Sequence, residues 1–535
     1  MRKKRRIFLC CLMTLLMAFV MAVPMSVSAA EGDITTAEEL SDAINNANSG
    51  DVITLGGDIT ADVVVKGDKS ITLDLNGHKL TNASGDTITV KIGASLTIKG
   101  SGTVDNKTNA KGAIFNEGTV ILNGGTYDRT SETGESADIS GGNSWYTICN
   151  HGKMTINEGV TVKNSGSFSS MIENGYYDYT STDSRNGYAE GVNAKNPTLT
   201  INGGEFIGGL NTVKNDDGAI LVINDGSFSN TTQASILNWN KAEIYGGEFD
   251  CSAENCILNG ARSSDPSDNN KGELNIYGGV FSSTGSNVYN NFTSSKGISI
   301  SAGTFTSSDV SDYLADKYAA LVIMNDDEAS FIIIPDDIDF VSYCGATHKV
   351  TVNGNVYYYI DENDIGEEID KDNIERIGYA VDFYLLSPDG TEVEHFDTVA
   401  VPKGSNVENV LKAVEESIGN PEFKGYEFLG WYEGTYDDWT PENGLVGFAF
   451  GDKFSFDSEV NADMEIFSAW QKEGEATPVG PTTPAETTPT EAATTDTTVN
   501  EVQTGDDSHM GIVLIMMTLA AAVAVGAVTV KRKAN

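Results

Sequence analysis

Between residues 31 and 310, apolar side chains recur in short alternating runs of Ile, Val, Leu and Phe, cut every few residues by Gly or Asn. Such runs cannot form amphipathic helices of period 3.6; they predict short β-strands joined by tight turns. One phrase keeps returning: an apolar residue, a spacer, two small or polar residues ending in Gly, a spacer, and often an aromatic. It reads Leu122-Asn123-Gly124-Gly125-Thr126-Tyr127 and recurs at 201–206, 223–228, 244–249, 276–281 and 300–305, each time ending in Phe. A looser copy, Ile156-Asn157-Glu158-Gly159, lacks the aromatic. A second phrase, Ile or Val followed two residues later by Asn, alternates with the first. It gives Ile114/Asn116, Ile148/Asn150, Ile172/Asn174, Val213/Asn215, Ile236/Asn238, Ile257/Asn259 and Val288/Asn290. Asn238 and Asn259 are 21 residues apart and Asn215 and Asn238 are 23 apart, which sets the length of one unit.

A unit of that length holds three short strands, and stacking such units about 4.8 Å apart makes an all-β parallel β-helix. Alternate apolar side chains then fill a continuous core. The repeated Asn tolerates a tight turn, and its amide can bond the same residue one coil along. This asparagine ladder resembles the right-handed parallel β-helices of the pectate-lyase superfamily over residues 31–310. The resemblance implies the solenoid fold and leaves two functions open: a glycan-binding or adhesive surface, and a polysaccharide lyase or glycoside hydrolase. The start of the body suits a solenoid as well. Thr36-Ala37-Glu38-Glu39 is a capping box, and Leu40, Ala43, Ile44 and Ala47 share a helical face ended by Gly50, predicting an N-terminal cap helix. Residues 310–318 are expected to form a second capping helix.

Beyond the solenoid, 311–376 is expected to hold a cap and a hairpin, with strands 348–352 and 355–360 turning at Asn353-Gly354. Residues 377–471 form a separate module. Its Gly425-Tyr426-Glu427-Phe428-Leu429-Gly430-Trp431-Tyr432, closed by Phe467-Ser468-Ala469-Trp470, is similar to the internalin B-repeat, a small β-grasp-like surface module. Residues 472–500 are rich in Thr and Pro with acidic residues and read as an extended stalk.

The ends of the chain bear on location. Residues 1–30 combine a basic start, an apolar run from Ile7 to Val23 and small residues at Val27-Ser28-Ala29-Ala30, the order of a secretory signal peptide. In 501–535, Met510 to Val530 is 21 uncharged residues, long enough as a helix to span a bilayer, and Lys531-Arg532-Lys533 follows. Glu501-Val502-Gln503-Thr504-Gly505 resembles the sortase signal Leu-Pro-x-Thr-Gly, with Glu501 and Val502 standing where Leu and Pro are usual. The resemblance implies joining of Thr504 to the peptidoglycan of a Gram-positive wall by a sortase. A plain C-terminal membrane anchor is the alternative, and either one places the body outside the cell. Removing the signal leaves 29 Lys and Arg against 77 Asp and Glu, a net charge of −48. So acidic a surface repels nucleic acid and anionic membranes. Cys149, Cys251, Cys256 and Cys344 are scattered, without a CxxC pair to suggest zinc.

Chemistry is harder to place. Arg129, Arg185 and Arg262 are the solenoid's only arginines, and His78 and His151 stand alone, so no catalytic constellation is legible and none is expected. Residues 174–204 carry an insertion with Tyr176, Tyr177, Tyr179 and Tyr188, which either stack on sugar faces or pack the insertion onto the solenoid wall. Trp145, Tyr146 and Trp239 add aromatics near ladder turns. The expected ligand is an extracellular or host glycan. No cofactor is expected; calcium at Asp265, Asp268, Asn269 and Asn270 lacks EF-hand spacing, and a solvated loop is the stronger expectation.

Overall fold

The computed structural model describes residues 34–474 apart from 138–140, 178–180, 183–184, 186, 190–193, 254, 261–271, 291–296, 326–327, 391, 408–420 and 441–443. The signal-like start, the stalk from residue 475 on, Thr504, Gly505 and the apolar run 510–530 therefore lie outside the described residues, as do Tyr179, Arg262, Asp265, Asp268, Asn269 and Asn270. Among the described residues no helix is long and apolar enough to cross a membrane. The chain divides at Leu221/Val222 into two compact units, and both contain coils of a parallel β-helix.

The first unit opens on helix α1, Ala37–Asn46. Thr36 and Glu39 make the full capping box, and Leu40 and Ile44 are buried. Lys69 Nζ closes the other end by donating to the carbonyls of Ile44 (3.0 Å), Asn45 (2.6 Å) and Ala47 (3.0 Å). Three-strand coils follow, such as Ser95–Lys99, Thr103–Asp105 and Ile114–Asn116, then Thr119–Leu122, Gly125–Asp128 and Ile148–Asn150. Each strand pairs in parallel with its counterpart one coil away. Leu73, Ile98, Leu122, Ile156 and Ile201 thereby form one column of the core. Tyr127, Val162 and Phe206 form another, with Val162 filling the place of the aromatic missing from the looser phrase.

The asparagines align as the repeat requires. In the first unit Asn116, Asn150, Asn174 and Asn215 are in register, and each Nδ2 donates to the next Oδ1 at 2.7, 2.7 and 2.8 Å. Val65 and Val90 occupy the same position in the coils before Asn116, so the ladder starts where an amide first replaces an apolar side chain. A second amide file runs along the solvent side, where Asn157 donates to Asn123 (2.7 Å) and Asn202 donates to Asn157 (2.8 Å).

In the second unit Asn238, Asn259 and Asn290 are in register, and Asn238 donates to Asn259 at 2.8 Å. Phe228, Phe249, Phe281 and Phe305 stack face to face at 4.6–4.7 Å, one ring per coil. The glycine of the phrase is what lets the coils close up. Gly247 has φ +105°, and a Cβ there would stand 2.9 Å from the Gly226 carbonyl. Parallel stacking ends with the hairpin Tyr318–Asn325 and Glu328–Pro335, whose second strand lies antiparallel on Ile298–Phe305. The helix expected at 310–318 is only a 3₁₀ turn, Ser308–Tyr313. It offers Val310 as its one buried apolar side chain, too little to cover an open coil, and the hairpin covers it instead.

The hairpin His348–Val352 with Asn355–Tyr359 turns at Asn353 and Gly354, both at positive φ. A five-stranded mixed sheet follows, with Gly378–Leu386 and Met464–Lys472 as a parallel pair at its centre. Val381, Phe383, Trp431 and Ile466 fill its core, and Trp470 Nε1 donates to the Leu386 carbonyl (2.7 Å).

Candidate functional site

In a ladder phrase the Ile points inward and the residue before the Asn points outward. In register, the outward column of the first unit is Thr89, Phe115, Cys149, Glu173 and Lys214. Phe115, Cys149, Glu173 and Lys214 are nevertheless buried, because the chain covers this face. One cover is the loop between strands Gly125–Asp128 and Ile148–Asn150, which carries Trp145 and Tyr146. The other is the insertion after Ile172–Asn174, which carries the tyrosines and Arg185.

Tyr176 holds the insertion down. It is fully buried, bridges to Asp217 through both backbone groups (3.2 and 3.1 Å), and its hydroxyl donates to the carbonyls of His151 (3.3 Å) and Ala194. Tyr176 is thus no sugar platform: its ring packs the insertion onto the wall. Tyr177, next to it, points the other way. It is 60 % exposed, with Lys214 Nζ 5.0 Å from its ring centre. Tyr188 is half-buried at 6.2 Å from the Tyr176 ring. Arg185 reaches back to Asp86 (3.0 Å) and lies 4.5 Å from the Phe115 ring centre and 5.9 Å from that of Trp145. Trp145 and Tyr146, both half-buried, meet edge to face at 5.3 Å. The loop therefore brings Trp145, and the insertion Tyr177 and Tyr188, to the covered face. Trp239 belongs to the second unit, where it packs on Leu237 and Leu258.

Under these aromatics sits a set of titratable groups that the sequence did not reveal. His151 is fully buried between Phe115 (5.2 Å) and Tyr176 (4.7 Å), with Nε2 3.7 Å from Glu173. Lys214 and Asp216 form an ion pair at 2.6 Å, both buried. Burial pushes the Asp216 carboxyl up to about 7, with Glu173 adding to the rise and Lys214 opposing it. Burial also holds the Tyr146 hydroxyl and the Cys149 thiol well above their ordinary values, so the thiol stays protonated. The signal was present in the ladder phrases themselves: of their seven outward residues only Glu173 and Lys214 are charged, and they are neighbours in register. His151, which stands alone in the sequence, sits in the fold against an acid and two rings.

Arg129 is structural. Its side chain is fully buried, paired with Glu132, and donates to the carbonyls of Lys111 (2.9 Å) and Thr108 (3.0 Å) and to Asn143 Oδ1 (2.6 Å). It ties down the loop that presents Trp145. His78 is a surface residue 3.6 Å from Asp58. Among the described residues no group of three or more His, Cys, Asp and Glu could hold a metal ion. Compared with protein-family models, with curated proteins and with solved structures, the chain finds no match.

Proposed function

We propose that this is a cell-surface-displayed binding or adhesion protein that holds extracellular or host glycans on the covered ladder face of its first unit. The observation that supports this is the joint presentation of Tyr177, Tyr188 and Trp145 by two loops that are pinned by Tyr176, Arg185 and Arg129. Exposed aromatic faces on a rigid support stack on sugar rings at little entropic cost, and neighbouring polar groups bond hydroxyls. Sortase joining to peptidoglycan through Thr504, or a membrane anchor from 510–530, would display that face beyond the Thr/Pro stalk. Calcium has no part in this reading. The mature chain should be retained by a glycan array, equally with calcium or chelator, and Tyr177→Ala should lose that retention. Full retention by Tyr177→Ala would contradict the proposal.

A second reading, a wall-anchored polysaccharide lyase or glycoside hydrolase, is favoured by the burial of Glu173, Lys214, Asp216 and His151 beside one another, with the Asp216 carboxyl raised by that burial, because such clusters of buried titratable groups occur at catalytic sites. Their burial beneath the tyrosines weighs for binding. The binding proposal expects no reducing or unsaturated ends from any retained glycan. Release that is abolished in Glu173→Gln would establish the second reading in its place.

A further inference from the structure

We propose that the covered ladder face selects neutral glycans and rejects uronates and sulfated sugars; this rests on the glycan-binding reading above. A site for polyanionic sugars needs cations whose charge is available to the ligand, as in the bidentate capture of carboxylates by arginine. Here each cation facing the aromatics already has a carboxyl group beside it. Arg185 is 3.0 Å from Asp86, Lys214 is 2.6 Å from Asp216, and Lys91 is 2.7 Å from Glu117. All three acids are buried, so these pairs are not loosely exchanged with solvent and a ligand carboxylate would have to displace a buried one. Glu173 adds a further buried acid facing His151.

The unspent hydrogen-bonding groups tell the same story. Among the described residues, both ring nitrogens of His151 and Trp145 Nε1 are buried and make no hydrogen bond. An indole N–H and an imidazole suit sugar hydroxyls, which both donate and accept. Buried polar groups without partners are costly, so a ligand hydroxyl that reaches them gains more than one in water. Stacking surfaces, an unspent indole N–H and pre-paired cations thus point to one ligand class.

The test uses the mature chain and immobilised galacto- and gluco-oligosaccharides beside the corresponding galacturonate and glucuronate oligomers. Retention on the neutral oligomers should exceed that on the uronates by at least about tenfold, and it should not change between low and high salt. Asp86→Asn keeps an acceptor for the Gly112 backbone N–H, which Asp86 Oδ1 now receives at 2.9 Å, but frees the Arg185 charge. In that variant the preference should narrow several-fold through a gain on the uronates. Equal or tighter retention of uronates by the unaltered chain overturns the selectivity while leaving glycan binding intact. Retention of neither series overturns both, and is separated from misfolding by an unchanged β-sheet spectrum. Should Asp86→Asn fail to fold, the salt series on the unaltered chain still decides: neutral-glycan retention that falls steeply with salt refutes the proposal.

Discussion

The inner ladder can be tested against a control within the same coils. Asn150 is fully buried, and its side chain makes four hydrogen bonds. It donates to Asn174 Oδ1 (2.7 Å) and to the Thr198 carbonyl (3.1 Å), and it accepts from Asn116 Nδ2 (2.7 Å) and the Gly152 backbone N–H (3.3 Å). In Asn150→Ala, Asn116 keeps its bond to the Lys153 carbonyl (3.0 Å) and the part-buried Thr198 carbonyl loses one donor, but Asn174 Oδ1 and the Gly152 N–H lose these partners away from water. Two orphaned groups at ~1–3 kcal/mol each, in a slot too tight to relax fully, give a loss of about 4 kcal/mol. Asn157 has the same ladder geometry on the solvent side, with one bond to Asn123 and one from Asn202. Water replaces both bonds in Asn157→Ala, so its cost should stay below about 1 kcal/mol. Urea denaturation followed by far-UV circular dichroism compares the two variants through the shift in midpoint. Equal shifts would mean that amide stacking, and not its burial, carries the stability, and the physical account of the ladder would fail.

Three further outcomes are expected. Phe249→Ala should cost about 3–5 kcal/mol, because it opens a gap in a ring stack spaced at 4.6–4.7 Å; a urea midpoint close to that of the unaltered chain would refute it. Arg129→Met should cost a similar amount by leaving Glu132 buried and unpaired, and the added change Glu132→Gln should recover part of the loss; no recovery would rule out the unpaired charge as the cause. The Asp216 carboxyl is harder to ionise in the folded chain than in the unfolded one, so its contribution is full below about pH 4 and is lost as pH rises through about 7. A urea series across that window should show a flatter pH dependence in Asp216→Asn, and an unchanged slope would contradict it.

The solenoid was legible because its two phrases encode backbone requirements. Gly247 must reach a positive φ beneath another coil, and Asn150 must find an amide above and below, so each unit prints both residues at fixed places. The capping box was legible for the same reason: Thr36 and Glu39 act on neighbours in sequence. The terminal cap was not, since the hairpin at 318–335 works by laying its strand on Ile298–Phe305, a pairing set by tertiary contact and not by local pattern. The candidate site fell between these cases. Glu173 and Lys214 lie 41 positions apart and become neighbours only through a register that the intervening insertion obscures. Tyr176 and Tyr177 are adjacent in sequence, yet one is buried and the other 60 % exposed. The strand alternation that separates them is only visible once the backbone bridge of Tyr176 to Asp217 is seen.

The sharpest measurement of the binding proposal is a set of dissociation constants for one retained neutral oligosaccharide against three chains: unaltered, Tyr177→Ala and Tyr343→Ala. Tyr343 is an even more exposed tyrosine, at 71 %, and belongs to the second unit. Loss of a stacking face should weaken binding of Tyr177→Ala about tenfold, which is ~1.4 kcal/mol, and leave Tyr343→Ala unchanged. Equal affinity in all three chains would contradict the assignment of glycan binding to the covered ladder face.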